Sequence, residues 1–390
     1  MTTSIKKSNY DVIITGAGLS GLIAAKYLSQ MGKKVLVLEA RDTAGGNLRN
    51  LSTKGFSFRT TLEFVPDYKE YIEPIERLEQ LLQLKILGPP KDITPKTFKS
   101  SELREFLGFG DLKFQSLDEI QWYTQTKIRE LLISPEKWVE TLLTHADFEC
   151  LTLHEVTRYN FTDGRFDSIT VNGSKVLHAD QFIHTAPVSL LNTLIPDEAI
   201  KPKDRTRLAK TQGWTSVCLH LLHRGIVSNE DCLHILMGSN TDFEPCLGRF
   251  FTPTQFNGET VQESQWMSLM NDEHAEDMEF LGATLRNIKK QIKRVYDSAV
   301  ENVLIEKIVV TLQSQGFMDL KFKNPLQLNG VENFWLASPL ILEQRGVGAS
   351  VQAADQVIAA MMELSSLTER AKHPIEASEL INSEDPELTL

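Results

Sequence analysis

Tyr10-Asp11-Val12-Ile13-Ile14-Thr15-Gly16-Ala17-Gly18-Leu19-Ser20-Gly21 decides the fold. Residues 10–15 are a short apolar run bounded by glycine, the pattern of a strand buried on both faces. Leu22-Ile23-Ala24-Ala25-Lys26-Tyr27-Leu28-Ser29 then repeats at helical spacing and closes at Gly32, with Lys33 and Lys34 just beyond it. Lysine there suits the negative pole of a helix, and glycine suits its carboxyl cap. Lys34-Val35-Leu36-Val37-Leu38-Glu39 reads as a second strand. The glycines therefore lie between a strand and a helix, inside a βαβ unit.

Each glycine has a separate physical task. Gly16 permits the tight turn, Gly18 lets the backbone approach a pyrophosphate, and Gly21 lets the helix pack close to the strand. The helix start, Leu19 and Ser20, offers free N–H groups and a partial positive charge. Ala17 completes the turn. Glu39 ends the second strand, where an acid hydrogen-bonds ribose hydroxyls in dinucleotide folds. The expected fold class is α/β, a Rossmann-like FAD/NAD(P)-binding domain joined to a discontinuous α+β substrate domain.

Composition narrows the function. The 390 residues include 41 basic and 52 acidic side chains, a net charge of −11, which disfavours a general nucleic-acid partner. No apolar run is long enough for a transmembrane helix, and no cleavable leader is expected. Four cysteines, Cys150, Cys218, Cys232 and Cys246, form no CxxC pair, so a reducing, cytoplasmic setting is expected.

Glu39-Ala40-Arg41-Asp42-Thr43-Ala44-Gly45-Gly46-Asn47 resembles the flavoprotein superfamily of amine oxidases, protoporphyrinogen oxidase and phytoene desaturases. The resemblance implies that Gly45 and Gly46 pass over the diphosphate and ribityl part of a flavin nucleotide, with Arg41 near the adenosine. Three departures stand out. Asn47 replaces the usual arginine, with Arg49 nearby. Arg59-Thr60-Thr61-Leu62 replaces an Asp/Gly segment. Ala337-Ser338 replaces a Gly-Asp pair. By the same resemblance the backbone of Val156 lies beside the adenine, and Ser338 offers one hydrogen bond in place of the acid. Gly348, Ala349 and Ser350 open a carboxyl-terminal helix whose start faces the flavin. A positive helix end there stabilises the negative charge of a reduced flavin. No cysteine follows Cys246, so the FAD is expected to be non-covalent.

Between the two motifs the apolar spacing predicts a helix over 68–84, a loop over 91–100, and two helices over 116–145, the second starting at Ser134-Pro135. Trp122, Tyr123 and Trp138 read first as packing residues and second as substrate contacts. Strands and Asp-Gly and Asn-Gly turns are expected over 155–184, then strands and a helix, Asp277–Val295, over 213–325. Cys218-Leu219-His220 and Cys232-Leu233-His234 would make a Cys₂His₂ site only on adjacent strands; the spacing matches no familiar zinc motif, so no metal is assigned. No acid or base is assigned, and residues 213–217 lack the lysine that many amine oxidases carry near the flavin.

The expected division is 1–65, 150–205 and 326–364 for the FAD-binding domain, 66–149 and 206–325 for the substrate domain, and 365–390 for an acidic disordered tail. The expected function is an FAD-dependent oxidoreductase acting on a small-molecule substrate, lipophilic ones included, with membrane contact through residues 60–115 left open. The alternatives are a non-catalytic ligand-binding protein on the same fold and a redox-neutral flavin-dependent isomerase.

Overall fold

The structure is a computed structural model that describes residues 9–211, 213–238 and 244–372. The chain opens with β1 (Asn9–Thr15), α1 (Leu19–Gln30) and β2 (Val35–Leu38). A hairpin of β3 (Leu51–Thr53) and β4 (Phe56–Phe58) leads to β5 (Phe64–Pro66) and α2 (Lys69–Leu82). Next come β6 (Leu87–Asp92), β7 (Lys96–Lys99), β8 (Glu102–Glu105), α3 (Leu117–Gln121), β9 (Lys127–Leu131) and α4 (Pro135–Thr144). The chain returns through β10 (Glu149–Leu151), β11 (Val156–Thr162), β12 (Arg165–Val171) and β13 (Lys175–His184), then α5 (Leu191–Leu194) and α6 (Pro202–Ala209). β14 (Trp214–Arg224), β15 (His234–Leu236), β16 (Cys246–Phe250), β17 (Thr254–Phe256) and β18 (Glu259–Asn271) precede α7 (Met278–Val295) and α8 (Ser298–Glu301). β19 (Val303–Gln315), β20 (Phe334–Leu336) and α9 (Val347–Lys372) end the described chain.

Two sheets organise these elements. The first runs β10-β2-β1-β13-β12-β11, with β20 pairing β13. β10, β2, β1, β13 and β20 are all parallel, so their carboxyl ends share one edge. Val35–Leu38 are all buried, as a parallel strand covered on both faces requires. α1 buries Leu22, Ile23, Ala24, Ala25 and Leu28 between the sheet and α9. Ala353 and Ala354 are fully buried, and their small side chains let α9 approach its neighbours closely.

The second sheet runs β19-β14-β18-β16-β15-β7-β8. Val217, Leu219 and Leu221 of β14 face Ile288 and Ile292 of α7. Cys218, one residue out of phase, packs with Met267 and Leu269 in the cluster that also holds α1 and α9. The period-2 alternation of a strand thus gives this sheet one face on α7 and the other toward the nucleotide sheet.

Three expectations need correction, and the condition set for a Cys₂His₂ site is not met. Residues 91–100 are not a loop, because β6 and β7 pair into two different sheets. Residues 116–145 hold one short helix, a 3-10 turn (Trp122–Thr124), strand β9 and α4 rather than two helices. Ile128 and Leu131 of β9 are buried between β5 and β6, and that pairing overrides local helix propensity. The two Cys-Leu-His triplets are not on adjacent strands, since β18 and β16 lie between β14 and β15. The tail expected from 365 starts as helix, since α9 runs to Lys372; residues 373–390 lie outside the described residues.

Candidate functional site

The carboxyl edge of the five parallel strands is where open α/β sheets bind ligands. Gly16 follows β1 there, and its φ of +105° suits glycine. A Cβ on Gly16 would lie 2.7 Å from Thr185 Oγ1, and one on Gly21 would collide with the Gly16 carbonyl oxygen. Those two glycines serve packing. Gly18 differs: a Cβ there would meet nothing within 4 Å, so its face is open. α1 starts at Leu19 with no side-chain cap, and Leu19 and Ser20 keep their side chains buried.

The second glycine pair closes on the first. Gly45 N donates to Ala17 O at 2.8 Å, and a Cβ on Gly46 would sit 3.0 Å from Gly18 Cα. Both glycines have positive φ, +111° and +58°. Arg49 Nη1 donates to Gly46 O at 2.9 Å and braces the turn from outside. Burial and the adjacent Arg41 charge lower the Arg49 pKa, so two guanidiniums stand close enough to repel each other beside this turn. Asn47 is exposed.

Glu39 completes the group. It is 9% exposed; its Oε2 accepts from Ala17 N at 2.9 Å and its Oε1 from Arg41 N at 3.0 Å. Glu39 O and Arg41 O accept from His154 N and Leu153 N, each at 2.8 Å, which ties the segment leading into β11 and Val156 to the end of β2. Gly16 to Gly21, Glu39 to Arg41, Gly45 to Asn47 and the approach to Val156 are thus assembled at one edge. Beneath it, Tyr159 Oη donates to Thr15 Oγ1 at 2.7 Å and lies 3.1 Å from His184 Nδ1. Burial lowers the His184 pKa to about 4, so a neutral imidazole supports the turn.

The carboxyl-terminal motif reaches the same edge through β20. Ser338 is buried, and its Oγ accepts from Leu340 N at 3.3 Å, capping its own turn. A Cβ on Gly348 would lie 3.4 Å from Tyr71 O, so the bare backbone lets α9 pack on α2. Ala349 is buried and its N–H donates to Gly346 O at 3.2 Å; Ser350 is half-buried on the same turn.

In front of that turn stands an indole. A Cβ on Gly346 would lie 2.5 Å from Trp122 Cζ2, so the ring rests directly on the glycine. Phe64 stacks on Trp122 with centroids 5.8 Å apart, and Tyr123 meets it edge-on at 4.7 Å. Tyr123 Oη accepts from Gln315 Nε2 at 2.6 Å, reaching β19. Glu119 pairs with Arg345 through both carboxylate oxygens, one at 3.2 Å, with both side chains largely buried. Trp122 is 8% exposed, and its Nε1 has no hydrogen-bond partner among the described residues. An unpaired buried donor costs about 1–3 kcal/mol. Trp138, by contrast, is fully buried and donates to Ile133 O, a packing residue.

Sequence reasoning missed a second cluster. Arg59 Nη1 binds Glu263 Oε2 at 2.5 Å and Arg59 Nε binds Glu63 Oε2 at 2.7 Å; its backbone N–H also donates to Glu263 Oε1 at 2.8 Å. Glu263 is 1% exposed in β18. Burial raises the pKa of both glutamates and Arg59 opposes it. Burial also disfavours the Arg59 charge, but the two carboxylates outweigh it and raise its pKa. The sequence signal was Glu263 itself, a charge in the middle of a strand. The face beside it holds Cys218, whose thiol burial pushes up to about 11, and His220, which burial lowers to about 4. Neither has the pKa of a reactive nucleophile or base.

Residues 14–77 match the family model of the NAD(P)-binding Rossmann-like domain. An oxidoreductase from Methanosarcina mazei superposes with a TM-score of 0.65 at 13% identity, covering 89% of this chain and 99% of that one. Putrescine oxidase bound to putrescine superposes at 0.62 and 13%, covering 91% and 99%. The chain shares the fold of these solved structures, with a Rossmann-like domain at its amino-terminal end. In sequence, the inactive all-trans-retinol 13,14-reductase of Danio rerio is 45% identical over 62 residues, 16% of this chain and 10% of that protein. Flavin-containing amine oxidase B of Rattus norvegicus is 32% identical over 99 residues, 25% and 16%. These matches span less than a fifth of either relative's length. Within this Rossmann-like domain, the residues around Gly18 and Gly46 fit the adenosine-diphosphate half of a dinucleotide: open backbone, an uncapped helix start and flanking arginines. At the start of α9, Trp122 packs against Gly346.

Proposed function

We propose that this chain is an FAD-dependent oxidoreductase acting on a small organic substrate. The open face of Gly18, with Gly46 packed against it at the start of uncapped α1, carries the reading. Gly18, Leu19 and Ser20 would hold the diphosphate by backbone N–H groups, Glu39 the ribose, and the chain near Ala40 and Val156 the adenine. Arg41 and Arg49 would offset the diphosphate charge. Bound FAD supplies acceptance of a hydride from a carbon–hydrogen or carbon–nitrogen centre. This chain's own residues bind and orient: Tyr159 and His184 fix Thr15 under the turn, and Arg59 ties the segment before β5 to the second sheet.

The test is incubation of purified protein with FAD, removal of free nucleotide, and a visible spectrum. A retained yellow flavin band, bleached by dithionite and restored by air, is the expected result. Absence of the band, together with no FAD binding by calorimetry, overturns the reading. One observation favours a second reading, a ligand-binding protein without redox chemistry: Trp122 covers Gly346 where the ring would meet α9. That reading expects nucleotide binding without substrate-dependent bleaching.

A further inference from the structure

The second sheet has two edges, and they are built differently. At one, β8 is four residues long and reads Glu102-Leu103-Arg104-Glu105, a short charged edge of the kind that turns other strands away. At the other, β19 runs for 13 residues, and no described strand pairs with its outer side. Ile305 to Thr311 keep an unbroken register with Leu222 to Ser216 of β14, so this stretch is regular. Ile308 to Gln315 contains no charge and no proline, in a chain of net charge −11. One face of β19 lies against the molecule: Ile305 packs with Leu51 and Phe58, and Lys307 Nζ donates to Ser52 O at 3.4 Å. The opposite face is bare. Ile308, Val310 and Leu312 are 44%, 36% and 56% exposed, in a row at period two. Leu219 and Val217, the β14 partners of Ile308 and Val310, are fully buried in the cluster with α7, so that cover stops one strand short.

We propose that β19 pairs antiparallel with β19 of a second copy of this chain, across a two-fold axis at Val310, and joins the two sheets edge to edge. The exposed set itself selects this register. Only reflection about Val310 maps Ile308, Val310 and Leu312 onto one another: Ile308 meets Leu312 of the second copy, and Val310 meets Val310. The same register sets Glu306 opposite Ser314 and Lys307 opposite Gln313, so no charge faces a like charge or an apolar side chain. A two-fold contact requires such a self-complementary surface. Lipid is a poorer occupant, because it would leave the outer backbone N–H and C=O groups of the edge without partners, whereas a second strand satisfies them. One strand pair makes a small interface, so the dimer forms and dissociates reversibly. The contact uses no residue of the nucleotide site.

Sedimentation velocity on the full chain, from about 1 to about 200 µM, is expected to show a monomer–dimer equilibrium with Kd of about 1–100 µM. Val310→Lys sets two like charges opposite each other on the axis and should raise Kd at least about tenfold; thermal melts confirm folding, which an exposed position tolerates. Ile308→Lys and Leu312→Glu should each weaken the dimer. The double variant should restore it to within about threefold of wild type, because the two positions face each other only in this register. A wild type that stays monomeric at about 200 µM overturns the proposal. So does a dimer that Val310→Lys leaves intact, or one that the double variant fails to restore. Either failure leaves the nucleotide reading untouched, since FAD binding is measured separately.

Discussion

Two helices, α1 and α9, begin after parallel strands of one sheet and pack against each other, yet their starts are opposites. At α1 the glycine turn faces open space at Gly18; at α9 Gly346 lies under an indole. Both starts offer backbone N–H groups and a positive dipole end, so the helices themselves do not make the difference. Tertiary structure does: Gly46 approaches Gly18 from the side and leaves its front clear, whereas α3 and the turn after it deliver Trp122 onto Gly346. A helix start is open to a ligand only where the surrounding chain leaves it accessible.

That contrast breaks or sharpens at particular positions. Gly21→Ala drives a Cβ into the Gly16 carbonyl and should destabilise by about 4 kcal/mol or more, read by urea denaturation. A near-neutral result would mean the turn is looser than drawn. Arg59→Ala leaves Glu263 buried without its partner and should cost about 3–5 kcal/mol; Arg59→Ala/Glu263→Gln should recover part of it. At the filled end, Gly346→Ala combines a φ of +74° with contact against Trp122, and should cost about 2–3 kcal/mol. Loss below half of that would argue that the indole does not rest on the glycine.

His184 tests the support under the open end. Its folded pKa, about 4, lies below the unfolded value of 6.5, so the unfolded chain takes up the proton first. Stability is therefore intact above pH 6.5 and falls as pH drops toward 4, by about 2 kcal/mol at about pH 5 for this one side chain. In His184→Gln the stability difference between about pH 7.5 and about pH 5 should shrink by that amount; an unchanged slope would contradict the buried neutral imidazole. The smallest effect on stability is Gly18→Ala, within about 0.5 kcal/mol because a Cβ there meets nothing. The same change should lower nucleotide affinity at least about tenfold, and loss of stability without loss of binding would reverse the assignment.

The open end was legible in the sequence because its determinants are local. Gly16, Gly18, Gly21 and Glu39 lie within one βαβ unit, where periodicity and glycine spacing fix the geometry. The helix over 278–295 was legible for a similar reason, since Asp277 Oδ1 accepts from Glu279 N and Phe280 N as an amino-terminal cap. Strand β9 was not legible: Lys127-Ile128-Arg129-Glu130-Leu131 carries no clean alternation, and its pairing with β5 and β6 supplies the missing hydrogen-bond partners. Arg59 and Glu263 are far apart in the chain, and no local pattern predicts that they meet.

By itself the sequence determined the amino-terminal βαβ unit, the roles available to its glycines, and the acid that closes it. Those follow from steric limits on φ and ψ and from hydrophobic period, which act over a few residues. Only the tertiary structure decided that Gly46 seats on Gly18, that Arg59 reaches Glu263, and that Trp122 covers Gly346. Such contacts join segments that separate folding elements bring together, and side-chain shape and burial select them only once the two sheets have packed.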